Sequence, residues 1–152
     1  MKIYIGTDHA GLELKEKIKI YLEEKGHEVY DKGAFGYNGE DDYPDFIIPV
    51  AEEVAKDPDC MGIILGGSGQ GEAMCSNRIH GVRACAYYGS SFEIPKLARA
   101  HNNANILSIG ARFVSEFEAK DVLDIFLGTP FSGDERHVRR ISKIDNLLEA
   151  RN

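Results

Sequence analysis

The chain has 152 residues, 43% of them hydrophobic and 28% charged, with a formal net charge of -7, a composition suited to one soluble domain with a substantial core. The acidic balance excludes general affinity for nucleic acid or anionic membranes, both of which select basic surfaces. No apolar run approaches the roughly 18 residues of a membrane span, and the opening MKIYIGTDHAGLELK lacks the apolar core of a signal peptide, so a cytoplasmic protein is expected.

Taken in chain order, short β-rich apolar segments alternate with amphipathic ones. KIYIG (2–6), HEVYD (27–31), CMGIIL (60–65), VRACAYY (82–88) and NILSIG (105–110) read as strands. After the first strand, Leu14, Ile18 and Leu22 lie four apart on one helical stripe that stops at Gly26, where glycine can close the helix left-handed. The segment 42–56, DYPDFIIPVAEEVAKD, reads as a helix in which Pro49 implies a kink or a late start.

Following the fifth strand, Ser115-Glu116-Phe117-Glu118 has the pattern of a capping box and opens a helix that ends before Gly128-Thr129-Pro130. A further helix is expected over 134–150 with Asp134 as N-cap. Its apolar side carries Val138, Ile141, Ile144, Leu147 and Leu148, fit to pack on its own domain or on a second subunit, and Arg136 and Arg140 share another face. Alternating strands and helices with short connections predict a Rossmann-like, doubly wound α/β/α sandwich: one domain over 1–152 with a five-stranded parallel sheet and an additional C-terminal helix.

Cys60, Cys75 and Cys85 form no Cys-x-x-Cys pair and read as buried free thiols. His9, His27, His80, His101 and His137 have no spacing typical of a zinc site. No metal is therefore expected.

Open α/β sheets bind ligands beyond the carboxyl ends of their strands. Three such segments are chemically suggestive: Thr7-Asp8-His9-Ala10-Gly11, Gly66 to Glu72, and Gly110-Ala111-Arg112. The second has glycines at 66, 67, 69 and 71, which let backbone N–H groups approach a ligand closely. It is not a Walker A loop, since no Lys-Ser/Thr follows, and it departs from the dinucleotide fingerprint in spacing and in following the third strand.

A carboxylate beside a polyphosphate would be repulsive, so Glu72 fits a base acting on a neutral part of a ligand. The loop amides and Ser68 would then stabilise the charge that develops as a proton leaves carbon. From spacing alone the commoner case is favoured, an acid suited to a helix's first turn. Asp8-His9 likewise reads either as a proton-handling couple or as a helix cap at Asp8.

Together, Gly6-Thr7-Asp8-His9-Ala10-Gly11, Asp42-Tyr43-Pro44, Gly67-Ser68-Gly69-Gln70-Gly71, Asn77-Arg78-Ile79-His80-Gly81-Val82-Arg83, His101-Asn102-Asn103-Ala104-Asn105, Ile109-Gly110-Ala111-Arg112 and Arg136-His137-Val138-Arg139-Arg140 resemble the signatures of the ribose-5-phosphate isomerase B family, which also holds relatives of galactose-6-phosphate isomerase. The resemblance spans nearly the whole chain. It implies a homodimer, or a tetramer, that interconverts aldose and ketose phosphates without metal or organic cofactor. Many members carry a cysteine base immediately before the glycine loop. Here that position is Gly66, and the chain resembles the branch with a glutamate after the loop, which matches Glu72.

The resemblance implies that Glu72 moves a proton between carbons 1 and 2 of ribose 5-phosphate through a cis-enediolate held by Gly67, Gly69 and Gly71, with Ser68 assisting. Asp8 and His101, and less directly His137, are its candidates for opening the sugar ring. His9, Arg112, Arg136 and Arg140 would meet the phosphate, and Tyr43 and Asn102 belong to the implied binding set.

His101 and Asn102 precede the fifth strand, near the amino edge of the sheet, so they are expected to join Glu72 from a partner subunit. Alternatives of other classes are an isomerase of allose or galactose 6-phosphate, a phosphosugar-binding module without catalysis, and a flavodoxin-like FMN domain. Phe35 to Gly39 and Tyr88 to Ile94 are where departures from the family would reshape the pocket.

Overall fold

The computed structural model describes residues 1–147. Five parallel strands, β1 (Lys2–Thr7), β2 (Glu28–Asp31), β3 (Met61–Gly66), β4 (Ala84–Tyr87) and β5 (Ile106–Gly110), form one sheet in the order β2-β1-β3-β5-β4. The central strands read as continuous apolar runs because both their faces are covered. Ile3, Ile5, Ile63, Ile64, Leu65, Ile106, Leu107 and Ile109 are all fully buried.

On one face, α1 (Leu12–Glu24), α4 (Glu93–Asn102) and α5 (Glu116–Gly128) bury Ile18, Leu22, Val122, Leu123 and Phe126 against the sheet, with Ala98 packed at the margin. On the other, α2 (Pro44–Lys56) and α3 (Gln70–Ser76) cover it through Ile47, Val50, Ala51, Val54 and Cys75. The predicted α/β/α sandwich is thus the observed one. From β1 the chain passes outward to β2 and then returns across β1 to β3. That reversal opens a crevice between the carboxyl ends of β1 and β3, the place where open α/β sheets bind ligands.

Local chemistry sets the helix ends. Gly26 closes α1 at φ +86, a left-handed conformation that costs glycine little. Ser115 Oγ accepts from the Glu118 N–H at 3.2 Å, but the Glu118 carboxylate accepts from the Tyr87 hydroxyl at 2.7 Å instead. The predicted capping box is therefore only half built. Pro49 neither delays nor divides α2, which begins at Pro44 and runs through it. Proline fits the first turn, where N–H groups have no intrahelical acceptor, and at position 49 it removes one i→i−4 bond.

The last helix, α6 (Glu135–Asp145), is shorter than its apolar pattern predicts: Asn146 caps it, Leu147 lies in a turn, and Leu148 falls outside the described residues, as do positions 149 and 150 of the predicted helix. Asp134 stands at the N-cap without a side-chain capping bond. Its carboxylate instead lies 3.8 Å from Arg136 and 3.9 Å from His137. Val138, Ile144 and Leu147 are exposed, Ile141 is half-buried, and His137 is the buried residue of the helix, so most of the described apolar side is open to solvent. No helix among the described residues is long and apolar enough to cross a membrane.

Cys60 is buried, while Cys75 and Cys85 are half-buried, and all three are free. Burial pushes the Cys85 thiol up to about 12, which leaves it inert.

Candidate active site

The crevice is built from the ends of β1 and β3. Thr7, fully buried at the end of β1, places its hydroxyl 3.0 Å from the carbonyls of Leu65 and of Asp8. That contact ties the Asp8-His9 turn to the start of the glycine loop. Asp8 Oδ1 accepts from the Ala10 N–H at 3.0 Å and caps a short 3-10 turn at His9–Gly11. The capping reading is thus borne out, and Asp8 is also buried and close enough to act electrostatically on Glu72.

Each glycine of the loop makes room for a particular neighbour. A Cβ added at Gly66 would overlap the Glu72 carboxylate. The acid therefore fills the space that a side chain at position 66 would occupy, although it comes from the first turn of α3. At Gly67 a Cβ would meet the Arg112 guanidinium at 3.2 Å, and at Gly71 it would press within 2.8 Å of the Tyr43 ring. Gly69 has φ +76 and packs its backbone on Ser108–Gly110, which substituted residues resist on both counts.

The Ala111 N–H donates to the Gly66 carbonyl at 2.8 Å and the Arg112 N–H to that of Gly67 at 3.2 Å. These bonds fasten the loop to the end of β5. The N–H groups of Gly67, Ser68 and Gly71 have no protein acceptor among the described residues. Ser68 is exposed at the loop's outer bend, its Oγ accepting from the Gln70 N–H at 3.3 Å.

Glu72 is 4% exposed and forms no salt bridge with any Lys or Arg among the described residues. Burial holds its carboxyl above the ordinary glutamate range; its own backbone N–H works against this, and the charge of Asp8 adds to it. A desolvated carboxylate without a cation is a competent general base, and the adjacent unpaired amides suit a developing oxyanion. Arg112 extends over Gly67 from β5's loop, and Tyr43 closes the side formed by α2.

A second cluster lies across the sheet. His101, near the end of α4, stacks on His137 of α6 with ring centroids 4.4 Å apart and planes 10° from parallel. Asn102 and Arg140 line the same cleft. Burial lowers the pKa of His137, and the neighbouring His101 and Arg136 lower it further, against the Asp134 carboxylate. Arg136 and Arg140 are exposed.

The structure thus gathers Glu72, Ser68, Asp8, His9, Tyr43, Arg112, Gly67, Gly69 and Gly71 around the crevice. It gathers His101, Asn102, His137 and Arg140 in a separate cleft, with Arg136 on the same helix.

Asp41 is the site residue that sequence reasoning missed. Its carboxylate meets the His9 ring, and Asp8, His9 and Asp41 place one ligand atom each within 4.8 Å of one another. Histidine spacing along the chain does not foreshadow this group. The His9 ring nitrogen and one Asp8 oxygen are already engaged, by Asp41 and by Ala10.

Residues 3–144 match the family model described as Ribose/Galactose Isomerase. The chain is 47% identical over 141 residues to the ribose-5-phosphate isomerase B of Mycolicibacterium paratuberculosis, covering 93% of this chain and 87% of the relative. Among solved structures, the ribose-5-phosphate isomerase B of Mycoplasma genitalium with bound ribulose-5-phosphate superposes with a TM-score of 0.92 at 40% identity, covering 97% of this chain and 96% of that one. The ribose 5-phosphate isomerase of Thermotoga maritima gives 0.89 at 43% identity, with 96% and 98% coverage.

Proposed function

Because the chain belongs to the ribose/galactose isomerase family, we propose that it interconverts ribose 5-phosphate and ribulose 5-phosphate, as a single domain over residues 1–152, with Glu72 as the base. The observation that carries this reading is the Glu72 carboxylate, 4% exposed, without a cation, and seated in the space of the absent Gly66 side chain. The resemblance implies a cysteine base at position 66 in other members, and the Glu72 carboxylate fills the side-chain space of that position here.

In the open-chain aldose, Glu72 takes the proton from carbon 2, and the electron pair forms the C1=C2 bond while charge moves onto O1. The cis arrangement puts O1 and O2 on one side, where the N–H groups of Gly67, Ser68 and Gly71 meet them. Ser68 passes the O2 proton to O1, and the protonated Glu72 returns its proton to carbon 1, leaving the ketone at carbon 2. Asp8 or His101 opens the furanose ring beforehand.

The phosphate is met by His9 and Arg112 from one subunit and by Arg136, His137 and Arg140 from its partner. Guanidinium forks suit its oxygens. The division of site residues between two clefts, and the exposed apolar side of α6, support a homodimer with shared sites. Asn102 and Tyr43 complete the pocket wall.

A panel of five- and six-carbon aldose phosphates, assayed with chelator present, tests the assignment. Ribose 5-phosphate should be turned over best. Preference for allose or galactose 6-phosphate, or no turnover of any of them, would overturn it.

A further inference from the structure

The segment joining β2 to α2 carries a buried acid that the proton-transfer chemistry does not use. The Asp41 side chain is 8% exposed, and its Oδ1 accepts from the His9 backbone N–H at 3.2 Å and meets the His9 ring Nδ1 at 2.5 Å. Its Oδ2 is buried and has no partner among the described residues. No lysine or arginine among the described residues pairs with it. Tyr37, from the same segment, meets the ring edge-on, with centroids 6.0 Å apart and planes at 84°.

Burying half a carboxylate without a partner costs stability, and the one cationic-capable group that it holds among the described residues is the His9 imidazole. An ionised carboxylate is acceptor-only, so the proton of the short bond lies on Nδ1 and Nε2 is left as the ring nitrogen open to another partner. Two donors from one residue on a single oxygen fix both the backbone and the rotation of the ring. Carboxylates fix catalytic and metal-binding imidazoles in the same way, through their second nitrogen.

We propose that Asp41 is a positioning residue, which locks His9 so that its Nε2–H is presented to the phosphate of the substrate. The inference rests on the reading of His9 as a phosphate ligand. With Nδ1 held by one anion and Nε2 turned to another, the ring bridges the carboxylate and the phosphate. Asp41 directly precedes the Asp42-Tyr43-Pro44 signature.

The test measures Asp41→Ala, His9→Ala and the double variant, with Asp41→Asn retaining an oxygen that can accept from Nδ1. For ribose 5-phosphate, Asp41→Ala should raise KM about tenfold, the size of one charge-assisted hydrogen bond, with a much smaller change in kcat. Asp41→Asn should fall between it and the parent protein. In the His9→Ala background the Asp41 substitution should add little, because the two residues act as one unit.

Calorimetry with inorganic phosphate, which needs no turnover, should show affinity weakened about tenfold in either single variant. That measurement separates failure of this inference from failure of the isomerase assignment. Phosphate affinity unchanged by Asp41→Ala, additive effects in the double variant, or a loss confined to kcat would overturn it.

Discussion

Lys15 and Glu72 are both buried charged side chains, and they are treated in opposite ways. Lys15, 0% exposed, places its Nζ 2.8 and 2.7 Å from the two oxygens of Asp31 and donates to the Ala34 carbonyl at 2.8 Å. All three ammonium donors have acceptors within reach, and the pair anchors the chain where it leaves β2. Glu72, 4% exposed, has no such partner; a second carboxylate, Asp8, stands near it. A buried charge whose hydrogen bonds are satisfied holds structure, whereas one left without its counter-ion keeps free energy available for chemistry.

The sharpest way to test the first half of this contrast is Lys15→Met. It keeps the length of the side chain but strands Asp31, whose other cation, Lys19, lies at 3.4 Å. Denaturant unfolding should show a loss of about 3–5 kcal/mol. A loss below about 1 kcal/mol would mean that the pair is not holding the β2 exit.

Gly66→Ala probes the second half without touching the acid. The added methyl occupies the space of the Glu72 carboxylate, so kcat should fall by about 10²-fold, as expected for a reacting group displaced by an ångström. An undiminished rate would show that the carboxylate acts from elsewhere.

Mixing asks whether the two clefts belong to one site. Glu72→Gln and His101→Ala proteins, each with little activity, should on subunit exchange recover roughly a quarter of the parental rate, because half of the dimers then hold one intact site. No recovery after verified exchange would place both residues in one protomer's site.

Smaller effects follow from the ends of helices and from pH. Ser115→Ala removes the one capping bond of α5 and should cost about 1 kcal/mol. Glu72 is held above the ordinary carboxylate range, so the folded state keeps this proton more tightly than the unfolded chain does. Its contribution to stability is complete below the unfolded pKa and is lost as pH rises through the folded value. Glu72→Gln should therefore melt higher than the parent at neutral pH, and the difference should close toward pH 4.

Much of this arrangement was legible in the residues because it is local. Apolar runs bounded by turn residues marked all five strands to within two positions, and Ser115 and Gly26 marked helix ends. Pro49 did not delay the start of α2 because an interior proline costs one hydrogen bond, and the burial of Ile47, Val50 and Val54 outweighs that cost. Among the described residues α6 ends at Asp145, although the apolar periodicity runs on to Leu147.

At the site, the glycine loop was evident from spacing and the role of Glu72 came from the resemblance, but the collision between Gly66 and the acid exists only in three dimensions. Asp41 gave no signal, since its partner is 32 residues away. The stacking of His101 on His137 depends on how α6 crosses α4, which no local pattern encodes.

The role of Glu72 is tested most directly by turnover of ribose 5-phosphate in the Glu72→Gln protein, with ligand binding measured alongside. A rate lowered by at least about 10²-fold with affinity preserved is the predicted result. A rate within a few-fold of the parent would contradict it.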